Sequence, residues 1–123
     1  MSPSEYPASG RRHKVFLGYV LVMILAFLLP VPPTPLEEFD YIDKLVHFGI
    51  FLGFAVLFYI DRHWRAWWTF LISSAFAGGI ELVQASLPYR EGDWLDFAAG
   101  AAGAGLGTVL ALVIGRELYS GPP

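Results

Sequence analysis

The chain has 123 residues, 55% hydrophobic and 16% aromatic, with 15% charged and a mean hydropathy of +0.52. Globular chains carry about 25% charged residues, so an ordinary soluble domain is excluded. Cysteine is absent, which removes disulfide and thiol chemistry, and the net charge is only −3.

In chain order, residues 1–10 are polar and rich in Ser, Pro and Gly, and are expected to be disordered. The apolar residues then fall into four blocks, 15–29, 45–60, 66–87 and 95–114. A membrane span needs about 20 apolar residues, with about 17–25 usual. The third and fourth blocks meet that alone; the first two need flanking residues such as His13, Lys14, Tyr41 and Ile42. No small-x-small cleavage site follows the first block, so it is expected to remain as a span. Pro30, Pro32, Pro33 and Pro35 end it and impose an extended loop. The short connection 61–65 predicts that the second and third spans are antiparallel neighbours. Trp64, Trp67 and Trp68 mark one interface, Tyr89 and Trp94 the other.

These spans divide the basic residues unevenly. Arg11, Arg12, Lys14, Arg62, Arg65 and Arg116 collect on one side, Lys44 and Arg90 on the other. Positive residues favour the cytoplasm. The expected architecture is therefore all-α: a four-helix transmembrane bundle with both termini cytoplasmic. It comprises a disordered N-terminus over 1–12, a membrane domain over 13–116 and a tail over 117–123. The expected location is the plasma (inner) membrane, multi-pass.

Most polar residues of the spans belong to the side away from the cytoplasm. Asp43, Lys44 and His47 open the second span, with Asp43 and His47 one turn apart. In the third, Ser74, Gly78, Glu81 and Gln84 are spaced 4, 3 and 3 and form one stripe. In the fourth, Asp93, Asp96, Gly100, Gly103 and Gly107 are spaced 3, 4, 3 and 4. That is a seam, polar at its outer end and glycine-lined below. Glu81 falls roughly 6–9 Å below the outer boundary and His47 roughly 6 Å below it. Arriving from adjacent helices at similar depth, they predict one outward-facing cluster. A carboxylate at that depth needs a cation, and Lys44, His47 and Arg90 are the candidates. Polar groups in membrane helices also serve simply to hold helices together. The patterns at Gly49 and Gly53 and at Gly103 and Gly107 suit close helix packing, within the chain or in a homo-oligomer through glycine faces. His13 and His63 are expected to be solvated in basic loops.

Motifs for zinc proteases, nucleophile elbows and phosphate-cradling loops are absent, and no basic stripe suits nucleic acid. Carboxylates with a histidine can hold a divalent cation, but this spacing is not diagnostic of one. No metal and no cofactor are therefore expected.

The set Asp43, Lys44 and His47, then Glu81, Gln84, Pro88, Arg90, Asp93 and Asp96, then Gly103 and Gly107, resembles the VanZ-like family of small bacterial membrane proteins. The resemblance runs from about Tyr41 onward. The family usually has Asn four residues after the acid at Asp96; here Gly100 stands there, which alters or refills any site that Asn helps form. The resemblance implies a multi-span plasma-membrane protein, and its namesake is associated with low-level resistance to the glycopeptide teicoplanin.

The leading expectation is an outward polar pocket for a cell-envelope or lipid headgroup. Lys44 and Arg90 would hold an anionic group, His47, Glu81 and Gln84 orient it, and Asp93 and Asp96 position the cations; Asp43 completes the ligand-binding set. The partners are membrane lipids or a cell-envelope precursor. An enzyme using Glu81 and His47 as acid and base on a lipid-linked substrate is the alternative. A scaffold whose polar cluster only locks the helices is a third, and a four-helix transporter is the least expected.

Overall fold

The computed structural model describes residues 9–30, 40–62, 65–89 and 92–119. Among these there are four α-helices and no strand: α1 (Ser9–Leu28), α2 (Asp40–Arg62), α3 (Ala66–Ser86) and α4 (Trp94–Tyr119). Helix therefore extends beyond both expected limits of the membrane domain. Residues 9–12 belong to α1 rather than to a disordered N-terminus, and α4 runs past 116.

The helix ends follow local chemistry. Pro88 forces the residue before it out of the helical region, and Leu87 is extended at φ −88° and ψ 134°. Asp93 starts α4: its Oδ1 accepts the Leu95 N–H at 2.9 Å, and its carbonyl accepts the Asp96 N–H at 3.0 Å. Pro30 follows the end of α1 and cannot continue it.

Three helices are long and apolar enough to cross a membrane, over Tyr41–Arg62, Ala66–Ser86 and Trp94–Gly115. Helix α1 falls short of that measure. Arg11, Arg12 and Lys14 occupy its first turns, and the apolar remainder reaches only about 22 Å at 1.5 Å per residue. The hydrocarbon core is about 30 Å thick.

The packing is that of a chain surrounded by apolar solvent. Helix α3 buries Thr69, Ser73, Glu81 and Gln84 beside Ala77 and Ile80. It exposes Phe70, Leu71, Leu82 and Val83. In water that arrangement leaves the hydrophobic effect unused; in lipid it satisfies polar groups inside and gives the acyl chains an apolar surface.

Helix α2 is central and touches the other three. Helices α2 and α3 do meet, but the larger interface of α2 is with α4. The cause is the glycine seam of α4. A Cβ placed on Gly103 would run into the Phe48 carbonyl, and one on Gly107 into that of Leu52. The two backbones are therefore in direct contact, which only glycine allows. The other glycine pattern behaves differently. Gly49 faces open space, while Gly53 accommodates the Tyr19 ring, whose hydroxyl donates to the Ile50 carbonyl.

Among the described residues helix α1 packs on α2 and α3 and not on α4. Its contact is aromatic: Phe16 meets Phe54 at 5.4 Å and Phe58 at 5.7 Å, edge to face, and Phe54 stacks on Phe76 of α3 at 5.0 Å. At its basic end His13 is on the helix, not in a loop, with Nδ1 3.1 Å from the buried Asp61 carboxylate. His63 and Trp64 lie outside the described residues.

Candidate functional site

The polar residues of α2, α3 and α4 converge at the end of the bundle opposite Arg11, Arg12 and Lys14. His47, Glu81 and Asp96 are each at least nine-tenths buried. They come from three different helices and can each present one atom, all within 4.8 Å of one another. His47 Nε2 is 3.7 Å from Glu81 Oε2.

Each member is held by a second contact. The Asp43 carbonyl lies 2.8 Å from His47 Nδ1. A carbonyl only accepts, so Nδ1 carries a proton and Nε2 is turned toward the acids. Glu81 Oε1 accepts the backbone N–H of Asp93, which ties α3 to the head of α4. Asp96 Oδ1 lies 3.8 Å from the ammonium of Lys44, which also donates to Asp93 Oδ2 at 3.3 Å. The ring of Phe27 covers His47 at 4.5 Å.

Lys44 thus reaches across to α4. At the exposed rim Asp93 is held ionised: the Leu95 N–H and the Lys44 ammonium keep its carboxyl below the usual carboxylate range. Asp43 is exposed, and its backbone carbonyl is the atom that meets His47.

Gln84 is buried beside this cluster, with its amide directed elsewhere. Its Nε2 donates to the Phe27 carbonyl at 2.9 Å. Tyr89 does the same for Leu28 at 2.7 Å. Carbonyls at a helix C-terminus lack partners within the helix, so these two side chains of the α3 end finish α1. Arg90 lies outside the described residues.

After those bonds, His47 Nε2, Glu81 Oε2 and Asp96 Oδ1 remain buried with no hydrogen-bond partner among the described residues. Beside them a groove of about 750 Å³ runs between α3 and the head of α4. Its walls include Leu71, Ala75, Leu82 and Phe97, and Glu81 and Asp93 also line it. The groove is open, and Ser74, Gly78 and Gly79 make its α3 side small.

Sequence spacing singled out His47, Glu81 and Asp96, but two participants lay beyond it. Phe27, from a helix with no motif of its own, gives no polar signal. The groove needs both helices in place before it exists. Gly100 also gains a reason here: a Cβ on it would lie 3.0 Å from the Phe51 ring and 3.1 Å from Ala77. That ring fills the space where relatives are expected to carry Asn.

The VanZ/LLP1 family profile matches residues 5–115, nearly the whole chain. The chain belongs to that family. The match takes in α1, which the motif resemblance did not reach, so the aromatic α1–α2 contact lies within the family domain as well. No curated protein and no solved structure matches the chain.

Proposed function

We propose that this VanZ-like protein binds the headgroup of a lipid or lipid-linked cell-envelope precursor at the α2–α3–α4 cluster. The observation that carries this reading is the groove beside α3 and α4, apolar along its walls with Glu81 and Asp93 among its lining residues. A lipid is built the same way. Its acyl chain lies along Leu71, Ala75, Leu82 and Phe97, and its headgroup meets the charged side chains. Glu81 and Asp93 accept hydrogen bonds from hydroxyl or amine groups, while Lys44, with Arg90 as the second cation that the sequence offers, would hold a phosphate or carboxylate.

In this reading all four helices cross the plasma membrane, both termini are cytoplasmic and the cluster faces outward, as the basic residues favour. Any link to glycopeptide resistance would act through occupancy of this pocket.

Native mass spectrometry of protein released from lipid nanodiscs provides the test, comparing wild type with Glu81→Gln, Arg90→Ala and Gly78→Leu. Co-purified envelope lipid should fall in all three. Equal retention by the variants removes the proposal. In cells, the same variants expressed at matched levels should lose any shift in teicoplanin susceptibility that the wild type confers.

The facing pair of His47 and Glu81, 3.7 Å apart and without hydrogen-bond partners at those atoms among the described residues, favours one second reading. They would act as base and acid on a bound lipid-linked substrate. That reading requires turnover, lost in both His47→Gln and Glu81→Gln.

A further inference from the structure

The buried cluster poses a chemical problem that the lipid reading leaves unsolved. The Asp43 carbonyl takes up Nδ1 of His47, which leaves Nε2 facing Glu81 Oε2 at 3.7 Å. One ligand atom each from His47, Glu81 and Asp96 lies within 4.8 Å of the other two. His47 Nε2, Glu81 Oε2 and Asp96 Oδ1 are all buried without a hydrogen-bond partner among the described residues. The nearby ammonium of Lys44 stands 3.8 Å from Asp96 and is shared with Asp93. Buried polar atoms left without a partner are costly, and one cation shared by all three would satisfy them together.

The geometry points to a divalent transition-metal site, of the zinc or manganese class, with His47 Nε2, one Glu81 oxygen and one Asp96 oxygen as ligands. One imidazole and two carboxylates form a donor set suited to these ions. Bonds of about 2.0–2.2 Å around a tetrahedral ion place neighbouring donors roughly 3.3–3.6 Å apart. The His47–Glu81 separation is already 3.7 Å. The three donor atoms lie within 4.8 Å of one another, so small side-chain rotations close the site.

The surroundings are those of a metal site as well. Metal-bound histidines as a rule donate their other ring N–H to a carbonyl or carboxylate, and the Asp43 carbonyl takes that role. The Asp93 N–H fixes Glu81 through its other oxygen. Three protein ligands leave a coordination position for water or a ligand oxygen, the pattern of catalytic rather than closed structural zinc sites. Glu81 also lines the lipid-sized groove, so a headgroup phosphate is a candidate for that position. The metal site itself does not depend on the lipid reading.

The test uses metal ions alone, with no lipid added. The full chain is purified in detergent, stripped with EDTA, dialysed against ZnCl2 or MnCl2, desalted and assayed for bound metal by mass spectrometry. Wild type should retain one ion per chain, with Tm raised by several degrees and returned by EDTA. MgCl2, whose ion keeps its waters, should not substitute. Glu81→Gln and Asp96→Asn should lower the metal affinity roughly tenfold or more. His13→Gln, at the opposite end, should retain the ion. If a variant does not fold, Co2+ bound to wild type decides: a visible spectrum distinct from the hydrated ion supports the site, and the spectrum of the hydrated ion refutes it. Wild type that retains neither zinc nor manganese, or variants that retain as much as wild type, overturns the proposal. Because no lipid is added, failure of lipid binding and failure of metal binding are separate results.

Discussion

Replacing Gly103 by Ala tests the contact that brings Asp96 to Lys44. A Cβ on Gly103 lies 2.8 Å from the carbonyl carbon and 3.0 Å from the Cα of Phe48, and closer still to the carbonyl oxygen. Carbon contacts favour about 3.5–4.0 Å, and backbone cannot rotate aside, so α2 and α4 must part by roughly 1 Å. A gap of about 0.5–1 Å loses a quarter to a half of each dispersion well of about 0.1–0.2 kcal/mol. Loosening on the order of 30 atom pairs then costs about 2 kcal/mol, within the usual range for overpacking. Alanine regains about 1 kcal/mol of helix propensity, which obscures the effect in one variant alone. Gly49→Ala is the control: it sits in α2 facing open space and receives the same gain without the clash. The two variants should differ by about 2 kcal/mol, read from unfolding in mixed micelles followed by circular dichroism. Adding Gly107→Ala to Gly103→Ala should cost less than the sum of the single changes, since the helices have already parted. Equal stability of Gly103→Ala and Gly49→Ala would refute direct backbone contact between α2 and α4.

Gln84→Met keeps the volume but leaves the Phe27 carbonyl without its donor, and should cost about 1–3 kcal/mol in the same unfolding assay; no loss would mean that α1 is not tied there. Gly100→Asn must displace the Phe51 ring and should destabilise by about 1–3 kcal/mol, a loss that Phe51→Leu should partly restore. Lys44→Met removes the counter-charge of buried Asp96. A double-mutant cycle with Asp96→Asn should give a coupling of about 0.5–3 kcal/mol, and additive effects would show that the pair does not interact. Because the chain has no cysteine, single thiols report orientation. An impermeant maleimide should label Ser86→Cys from outside intact cells or spheroplasts and Gly10→Cys only after permeabilisation, and the reverse pattern would invert the topology.

Local regularities made much of this molecule legible. Helical periodicity alone placed His47 a turn from Asp43, set Glu81 and Gln84 on one face of α3, and aligned Asp96 with Gly100, Gly103 and Gly107, because those relations need only 3.6 residues per turn. Pro30 and Pro88 stood where helices stop, since proline acts on its immediate neighbours. Partner choice belonged to the tertiary structure. Only the docked helices decided that the α4 glycines would meet the backbone of α2 and that Gln84 would complete α1. The same holds for the Phe27 ring over His47 and for the groove. Such contacts depend on how closely two backbones approach and which side chains then fill the space, and neither quantity is a property of one helix read by itself.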